Sequence, residues 1–454
     1  MIDDPAGAAA PNAPKRRLGA LHATLLALGM IMTTDTLKTA PVVARRLGVW
    51  HFYATWALGG LISMVGALCY AEMATAFPDP GGDYAFLTRA YGRRIGWLFA
   101  WSRFSIMHTG WIALMAFMFA DYAGDLLRLT SAGRTLFALA TVAALMGLNL
   151  MHVRRGFLTQ AALVGLVTLG FAAVAAAAVK LGLSGQLPAA THAPGAPPSL
   201  GKFTVALIYI FLAYGGWSDA ATLSAEVRSG RRGMLTAIMG SLAALMAIYL
   251  ALNAAMMIGL GPDALAASSA PAADLMGRAF GPAGKALIVA VVGVSAVASI
   301  NSTLIVGART TFAAARDTPL LHRIGRWHPT REVPAHAVLV EGGFAMALVL
   351  AGAMAPSGFN AMVDYMTPVY WFFVTLSMGA LIILRRRHPE ASRHLRTPLF
   401  PLFPAAFAAV SLYMFGASLF ELGAGALWGA GVMAVGAGLA PFLRGPRSAA
   451  AAAQ

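Results

Sequence analysis

The sequence predicts an all-α integral membrane protein of twelve transmembrane helices. Three observations predict it. Of 454 residues, 59% are hydrophobic and 11% charged, against about 25% charged in an ordinary soluble domain. Mean hydropathy is +0.70, and apolar runs of about 20 residues, the length a helix needs to cross a bilayer, recur along the whole chain. The formal charge of +15 sits in short clusters between those runs, which points to membrane topology and excludes a nucleic-acid partner. A single cysteine, Cys69, lies inside an apolar run; an internal disulfide and a cysteine metal cluster are therefore excluded.

Taken in order, the first span covers 18–44 and follows the basic cluster Lys15, Arg16, Arg17. Residues 1–17 carry no cleavable signal pattern and read as a disordered cytoplasmic tail. Further spans are expected over 51–77, 95–124, 132–151, 157–180, 203–225, 234–260, 284–315, 335–355, 362–384, 399–420 and 424–443. Some are longer than a bilayer requires, so tilt, kinks or extensions are expected. A Pro and Gly rich loop over 184–200 divides the chain, and 444–454 form a second cytoplasmic tail.

Orientation follows from the basic residues. With the N-terminus inside, the inner segments hold 22 Lys and Arg, including Arg228, Arg231, Arg232 and Arg385 to Arg387, against 8 in the outer segments. Both termini are therefore expected in the cytoplasm. An Ala and Arg rich composition suggests a bacterial inner membrane.

Two spans are interrupted in corresponding places. The first runs apolar from Leu21 to Met32, breaks at Thr33, Thr34, Asp35 and Thr36, and resumes with Pro41 close behind. The sixth carries Ala213, Tyr214, Gly215, Gly216, Trp217, Ser218 and Asp219 in mid-span. They open two five-helix halves, 18–183 and 201–388, followed by two added helices over 389–443. This is where inverted-repeat membrane folds place discontinuous helices. An unwound helix in hydrocarbon leaves backbone groups unpaired, which is tolerated where they line a cavity or meet a ligand. The resumed half-helix offers amide donors to an anion and the preceding half offers carbonyls to a cation, so a zwitterion suits both. The competing reading is that Gly215 and Gly216 serve close helix packing.

Four stretches carry a resemblance. YAEMATAFPDPGGDYAFLTRAYG, Tyr70 to Gly92, resembles almost position by position the signature of the amino acid, polyamine and organocation transporter superfamily. FLAYGGWSDAATLSAEVRSGRRGMLTAI, Phe211 to Ile238, is similar to its sixth-helix region, with an AYGGW typical of the L-type amino acid branch. Ser299 to Ala335 and Arg385 to Pro401 resemble its eighth-helix region and the stretch after its tenth helix. The resemblance implies a five-plus-five inverted repeat with two added helices. It also implies a secondary active transporter, permease or exchanger, moving small or neutral amino acids by alternating access.

Carried over by position, Thr33, Thr34 and Asp35 stand where the family receives a substrate carboxylate on a Gly-Ser-Gly-like turn. Thr33 and Asp35 replace its two glycines. Ala213, Tyr214, Gly215, Gly216 and Trp217 match the break whose carbonyls meet the substrate amine. Leu212 replaces a gating aromatic, and Asn301 and Thr303 align near the pocket, where a structural hydrogen bond is the alternative role for each. Glu72, Arg89, Glu226, Arg309, Arg316 and Asp317 sit at cytoplasmic helix ends and are expected to form an inner charge network, or to be solvated one by one. The lysine that serves some proton-coupled relatives in the fifth helix is absent near Val167 and Thr168. Ser299, Ser302 and Thr303 are either sodium ligands or packing hydroxyls, which leaves the coupling ion open. His22 and His108 are expected as satisfied helix-face histidines.

Asp35 is the most informative departure. An ionised Asp at a helix centre costs about 2.5 to 3.5 kcal/mol on insertion scales, so it faces a cavity or a partner. It is either the counter-ion of a substrate ammonium, favouring an organic amine, polyamine or cationic amino acid, or the internal partner of Lys38. Asp219 raises the same question with Arg103. No zinc-protease, nucleophile-elbow or phosphate-loop motif is present, so an enzyme is not expected, nor any cofactor or metal. Two breaks in opposite halves also suit an occluded site better than a continuous pore. The expected partners are the bilayer and a small solute.

Overall fold

A computed structural model describes residues 32–77, 82–151, 157–188, 197–217, 230–316, 323–325, 334–391, 393 and 395–440. Among the described residues all regular structure is helical. In chain order the elements are α1 (Thr36–Ala44), α2 (Val49–Ala76), α3 (Asp83–Tyr91) and α4 (Arg93–Ser102). A π-helical turn (Arg103–His108) leads into α5 (Thr109–Leu127), followed by α6 (Ser131–Met151), α7 (Phe157–Leu183) and α8 (Leu200–Ala213). Then come α9 (Gly230–Leu260), α10 (Pro262–Ala267), α11 (Pro271–Arg316), α12 (Ala335–Gly352), α13 (Gly358–Arg387), α14 (Leu402–Glu421) and α15 (Ala424–Leu439). Among the described residues, nine helices are long and apolar enough to cross a bilayer, and α8 and α15 are shorter apolar helices.

The helices follow the apolar runs, with informative differences. α11 begins at Pro271, ahead of the expected 284, and changes direction at Gly281 (φ 67°). Short helices α3 and α10 stand where connections were expected. In α3 the pattern explains it: Asp83 lies in the first turn, Arg89 in the last, and Ala85, Phe86, Leu87 and Ala90 are buried. Charges placed this way complement the helix dipole while one face packs inward. Along the third span, Ser105 and Thr109 donate to the carbonyls of Trp101 and Phe104 at 2.8 and 3.1 Å. These hydroxyls satisfy carbonyls where the backbone ladder widens.

α1 lies at the centre, with Thr36 through Val43 all buried. It packs against α8, α9, α10 and α11. A helix apolar or neutral on every face is stable only when protein surrounds it. By contrast, α14 and α15 expose Leu412, Phe420, Leu427, Trp428 and Val435, a surface suited to lipid. α15 is fixed to α4 by Trp97 and Trp101, whose indoles donate to Gly436 O and Val432 O at 3.1 and 2.9 Å.

Candidate functional site

The site begins where α1 begins. Met32 and Thr33 are non-helical and Thr34 and Asp35 turn into the helix, with Leu37 N and Lys38 N donating to Thr34 O and Asp35 O at 3.0 and 2.9 Å. Asp35 occupies the N-cap position, yet its carboxylate does not cap the helix. Oδ1 accepts the Thr33 hydroxyl instead, and Oδ2 is buried without a hydrogen-bond partner. A hydroxyl two residues upstream thus holds half of the carboxylate and leaves the other half open.

Neighbouring helices hold this turn. Thr33 N donates to the Tyr249 hydroxyl at 3.3 Å, and the same hydroxyl donates to Thr33 O at 3.2 Å. The Thr34 hydroxyl donates to Ser295 Oγ at 3.3 Å, with Met118 Sδ at 3.8 Å. Backbone groups of Thr33 ahead of α1 are thereby satisfied from α9, and the adjacent side chain from α11 and α5.

The sixth span approaches from the other side. α8 stops at Ala213; Tyr214 N donates to Ile210 O and Gly215 N to Leu212 O, each at 3.0 Å. Gly216 takes φ +88°, a region open to glycine without cost. A Cβ on Gly215 would meet its own chain at Leu212 O, 2.9 Å away. The conformation of both glycines belongs to the turn. Trp217 ends the described stretch, so Ser218 and Asp219, with the suggested Asp219 to Arg103 pair, lie outside the described residues.

Tyr214 turns into an aromatic group with Trp56 and Tyr249. Ring centroids are 5.8 Å apart for Trp56 and Tyr214, 6.2 Å for Trp56 and Tyr249, and 5.5 Å for Tyr214 and Tyr249. Around these rings Trp56 Nε1, Tyr214 OH, Thr36 Oγ1 and Asn253 Oδ1 are buried without hydrogen-bond partners, as is Asp35 Oδ2. Unpaired buried polar atoms cost about 1 to 3 kcal/mol each. These five include both donors and acceptors. A small solute carrying an ammonium and a carboxylate can satisfy both kinds at once.

A family model for amino acid permeases matches residues 18–437. The chain belongs to the amino acid permease family. It is a multi-pass integral membrane transporter of amino acids, not an enzyme. The permease is 26% identical to Asc-type amino acid transporter 1 of Homo sapiens, over 88% of this chain and 77% of that protein. It is 26% identical to the serine/threonine exchanger SteT of Bacillus subtilis (strain 168), over 90% and 92%. With b(0,+)-type amino acid transporter 1 of Mus musculus the identity is 23%, over 88% and 82%.

Other residues singled out in the permease fall elsewhere. Lys38 does not pair with Asp35: its Nζ lies 2.5 Å from Asp121 Oδ2, and Arg134 also faces Asp121, at 3.5 Å. The winding of α1 carries the lysine away from the N-cap side chain and toward α5. Leu212 is half-buried against the core. Asn301 Oδ1 accepts from Asn149 Nδ2 at 2.8 Å, and Thr303 donates to Ser299 O at 2.9 Å. These contacts tie α11 to α6 and to itself. His108 accepts from Arg103.

At the C-terminal end of α2 Glu72, fully buried, faces Arg385 at 3.3 Å and Arg393 at 3.5 Å and accepts from Thr397 N at 2.7 Å. Arg89 stacks over Phe77. Glu226 and Asp317, with the side chains of Arg309 and Arg316, lie outside the described residues. No group of three or more His, Cys, Asp or Glu able to hold a metal is found among the described residues.

Sequence reasoning missed Trp56, Tyr249, Asn253 and Ser295. A faint signal exists for two of them: Tyr249 and Asn253 are polar residues four apart, on one face of an apolar span.

Proposed function

We propose that the permease carries small neutral amino acids by alternating access, gripping the solute between the turn at Thr33 to Asp35 and the turn at Ala213 to Trp217. One observation carries this reading: at and beside these two turns, buried polar atoms without partners include acceptors at Asp35 and Asn253 and donors at Tyr214, Trp56 and Thr36. The carboxylate of an amino acid takes the donors and the free amides at the start of α1. Its ammonium takes Asp35 Oδ2 and the carbonyls at the end of α8. A short side chain on the solute is in keeping with a relative named as a serine/threonine exchanger. Leu212, Asn301 and Thr303 border the pocket.

The architecture that goes with this reading has twelve spans in a five-plus-five inverted repeat, 18–183 and 201–388, joined by the loop 184–200 and completed by 389–443. Spans one and six are discontinuous, both termini are cytoplasmic, and the membrane is a bacterial inner membrane. Glu72, Arg89, Glu226, Arg309, Arg316 and Asp317 form the inner charge network. Counterflow in proteoliposomes across a panel of amino acids and amines tests the reading. Saturable counterflow of serine, threonine or alanine supports it, and counterflow confined to large, charged or non-zwitterionic solutes refutes it.

A second reading rests on Asp35. An open carboxylate oxygen beside three aromatic rings suits an organic ammonium through charge and cation–π attraction. Under that reading, amines outcompete amino acids in the same panel.

A further inference from the structure

The solute site does not use Glu341. It lies midway along α12, 0% exposed, and neither carboxylate oxygen has a hydrogen-bond partner. A carboxyl group in hydrocarbon is stable when protonated or when a cation stands beside it, and ionisable groups inside a membrane mark ion and proton pathways. His108 Nδ1 stands 3.7 Å from Glu341 Oε1. On the other side of the ring, Nε2 accepts from Arg103 Nε at 3.0 Å. An accepting Nε2 leaves the ring proton on Nδ1, the nitrogen that faces Glu341.

Arg103 and His108 are the two ends of the π-helical turn. Residues five apart in an α-helix point in different directions; the wider π winding brings these two back to one side. On α11, Gly307 abuts the Glu341 carboxylate so closely that any Cβ would collide with it. α12 packs against α5, α6, α11, α13 and the π-helical turn. Charged groups on those elements are engaged elsewhere: Asp121 with Lys38 and Arg134, Asp125 with Lys285, Arg385 with Glu72, and Asp364 with Arg46. Tyr365 of α13 donates to Ser105 O within the turn itself, and the side chain of Arg309 on α11 lies outside the described residues.

We propose that Glu341 and His108 form a proton-binding site, separate from the solute site, whose occupancy is linked to the transport cycle. With Nε2 accepting from Arg103, the one proton between Nδ1 and the carboxylate leaves the pair with a single negative charge. A second proton, taken from water, adds at the open Glu341 carboxylate and makes the pair neutral. Loading therefore removes the charge that draws His108 toward Glu341 and relaxes the hold on the π-helical turn, which continues into α5 and packs on α11. These two helices carry Met118 and Ser295, the contacts of Thr34.

The test is amino acid counterflow by the purified full-length protein in proteoliposomes, with equal pH on both sides. Wild-type counterflow is expected to change by about threefold or more between about pH 5.5 and pH 8.5, as the carboxylate and imidazole gain and lose protons together. E341Q and H108Q are each expected to keep counterflow while varying less than about 1.5-fold over that interval. A flat wild-type profile overturns the proton site and leaves amino acid transport standing. An E341Q profile that follows the wild type also overturns it. If E341Q does not purify as a monodisperse protein, H108Q decides by the same two readings.

Discussion

The Tyr249 hydroxyl closes on Thr33 from both sides, accepting from its N–H at 3.3 Å and donating to its C=O at 3.2 Å across 216 positions of sequence. A single phenol thus satisfies both backbone groups of Thr33, which lies outside α1. Tyr249→Phe keeps the ring packing and removes both bonds. Leaving two buried backbone groups unpaired costs about 1 to 3 kcal/mol each. Counterflow kinetics are expected to show at least about a fivefold rise in KM, equivalent to about 1 kcal/mol, with a lowered thermal midpoint in detergent. An unchanged KM would show that Tyr249 does not support the turn.

Asp35→Asn tests the open carboxylate. The amide keeps an acceptor for the Thr33 hydroxyl and loses the charge. Uptake of a matched amino acid and amine is expected to weaken for both, by about tenfold for the amine, or about 1.4 kcal/mol, and by less for the amino acid, whose carboxylate keeps its own donors. Equal handling of both by wild type and variant would remove Asp35 from ammonium binding.

Gly216→Ala probes the second turn. At φ +88° a Cβ costs about 1 to 2 kcal/mol, so alanine shifts the end of α8. The expected outcome is a rise in KM larger than any loss of stability, read by counterflow beside a thermal unfolding scan. A variant with wild-type KM would mean that the turn geometry does not govern binding.

Glu72 ties the C-terminal end of α2 to that of α13. With Glu72 fully buried and the Arg393 side chain only 5% exposed, Glu72→Ala strands a buried cation, a loss of about 3 to 5 kcal/mol. Arg385→Ala is expected to cost less, because Glu72 keeps Arg393 and the Thr397 amide. Thermal midpoints of the two purified variants check the order, and the reverse order would refute the account.

Lys38 and Asp121 make an unequal pair. Removing Lys38 leaves Asp121 with Arg134, whereas removing Asp121 leaves a lysine only 9% exposed on buried α1. Asp121→Asn is therefore expected to reduce stability and counterflow more than Lys38→Met, and a double-mutant cycle measures the coupling. Equal losses would show that Arg134 does not compensate.

Much of this was legible in the residues. Most of the long apolar helices among the described residues could be placed because a helix in lipid must be apolar along its whole length, and the polar stretches at Thr33 to Asp35 and Tyr214 to Trp217 stand out against that background. Family membership was legible too, in the stretch from Tyr70 to Gly92. Partner choice was not. Lys38 sits three residues from Asp35, a spacing that suggests a pair on a regular helix, yet it reaches Asp121 of α5. Glu72 was singled out as part of a network, but its partners are Arg385, Arg393 and the Thr397 amide, brought to it by the packing of α13 and the chain beyond.

What the sequence by itself determined is the helical, membrane-spanning character of the chain and the kind of protein it builds, because both depend on local composition that hydrocarbon tests residue by residue. Tertiary structure alone decided which distant side chains meet the polar stretches at Thr33 to Asp35 and Tyr214 to Trp217. Tyr249 bonds to backbone atoms that every residue possesses, and the approach of Glu341 to His108 depends on a local rewinding of the third span. Neither contact leaves a mark in the residues near it, since packing of separate helices fixes the distance and no local pattern encodes it.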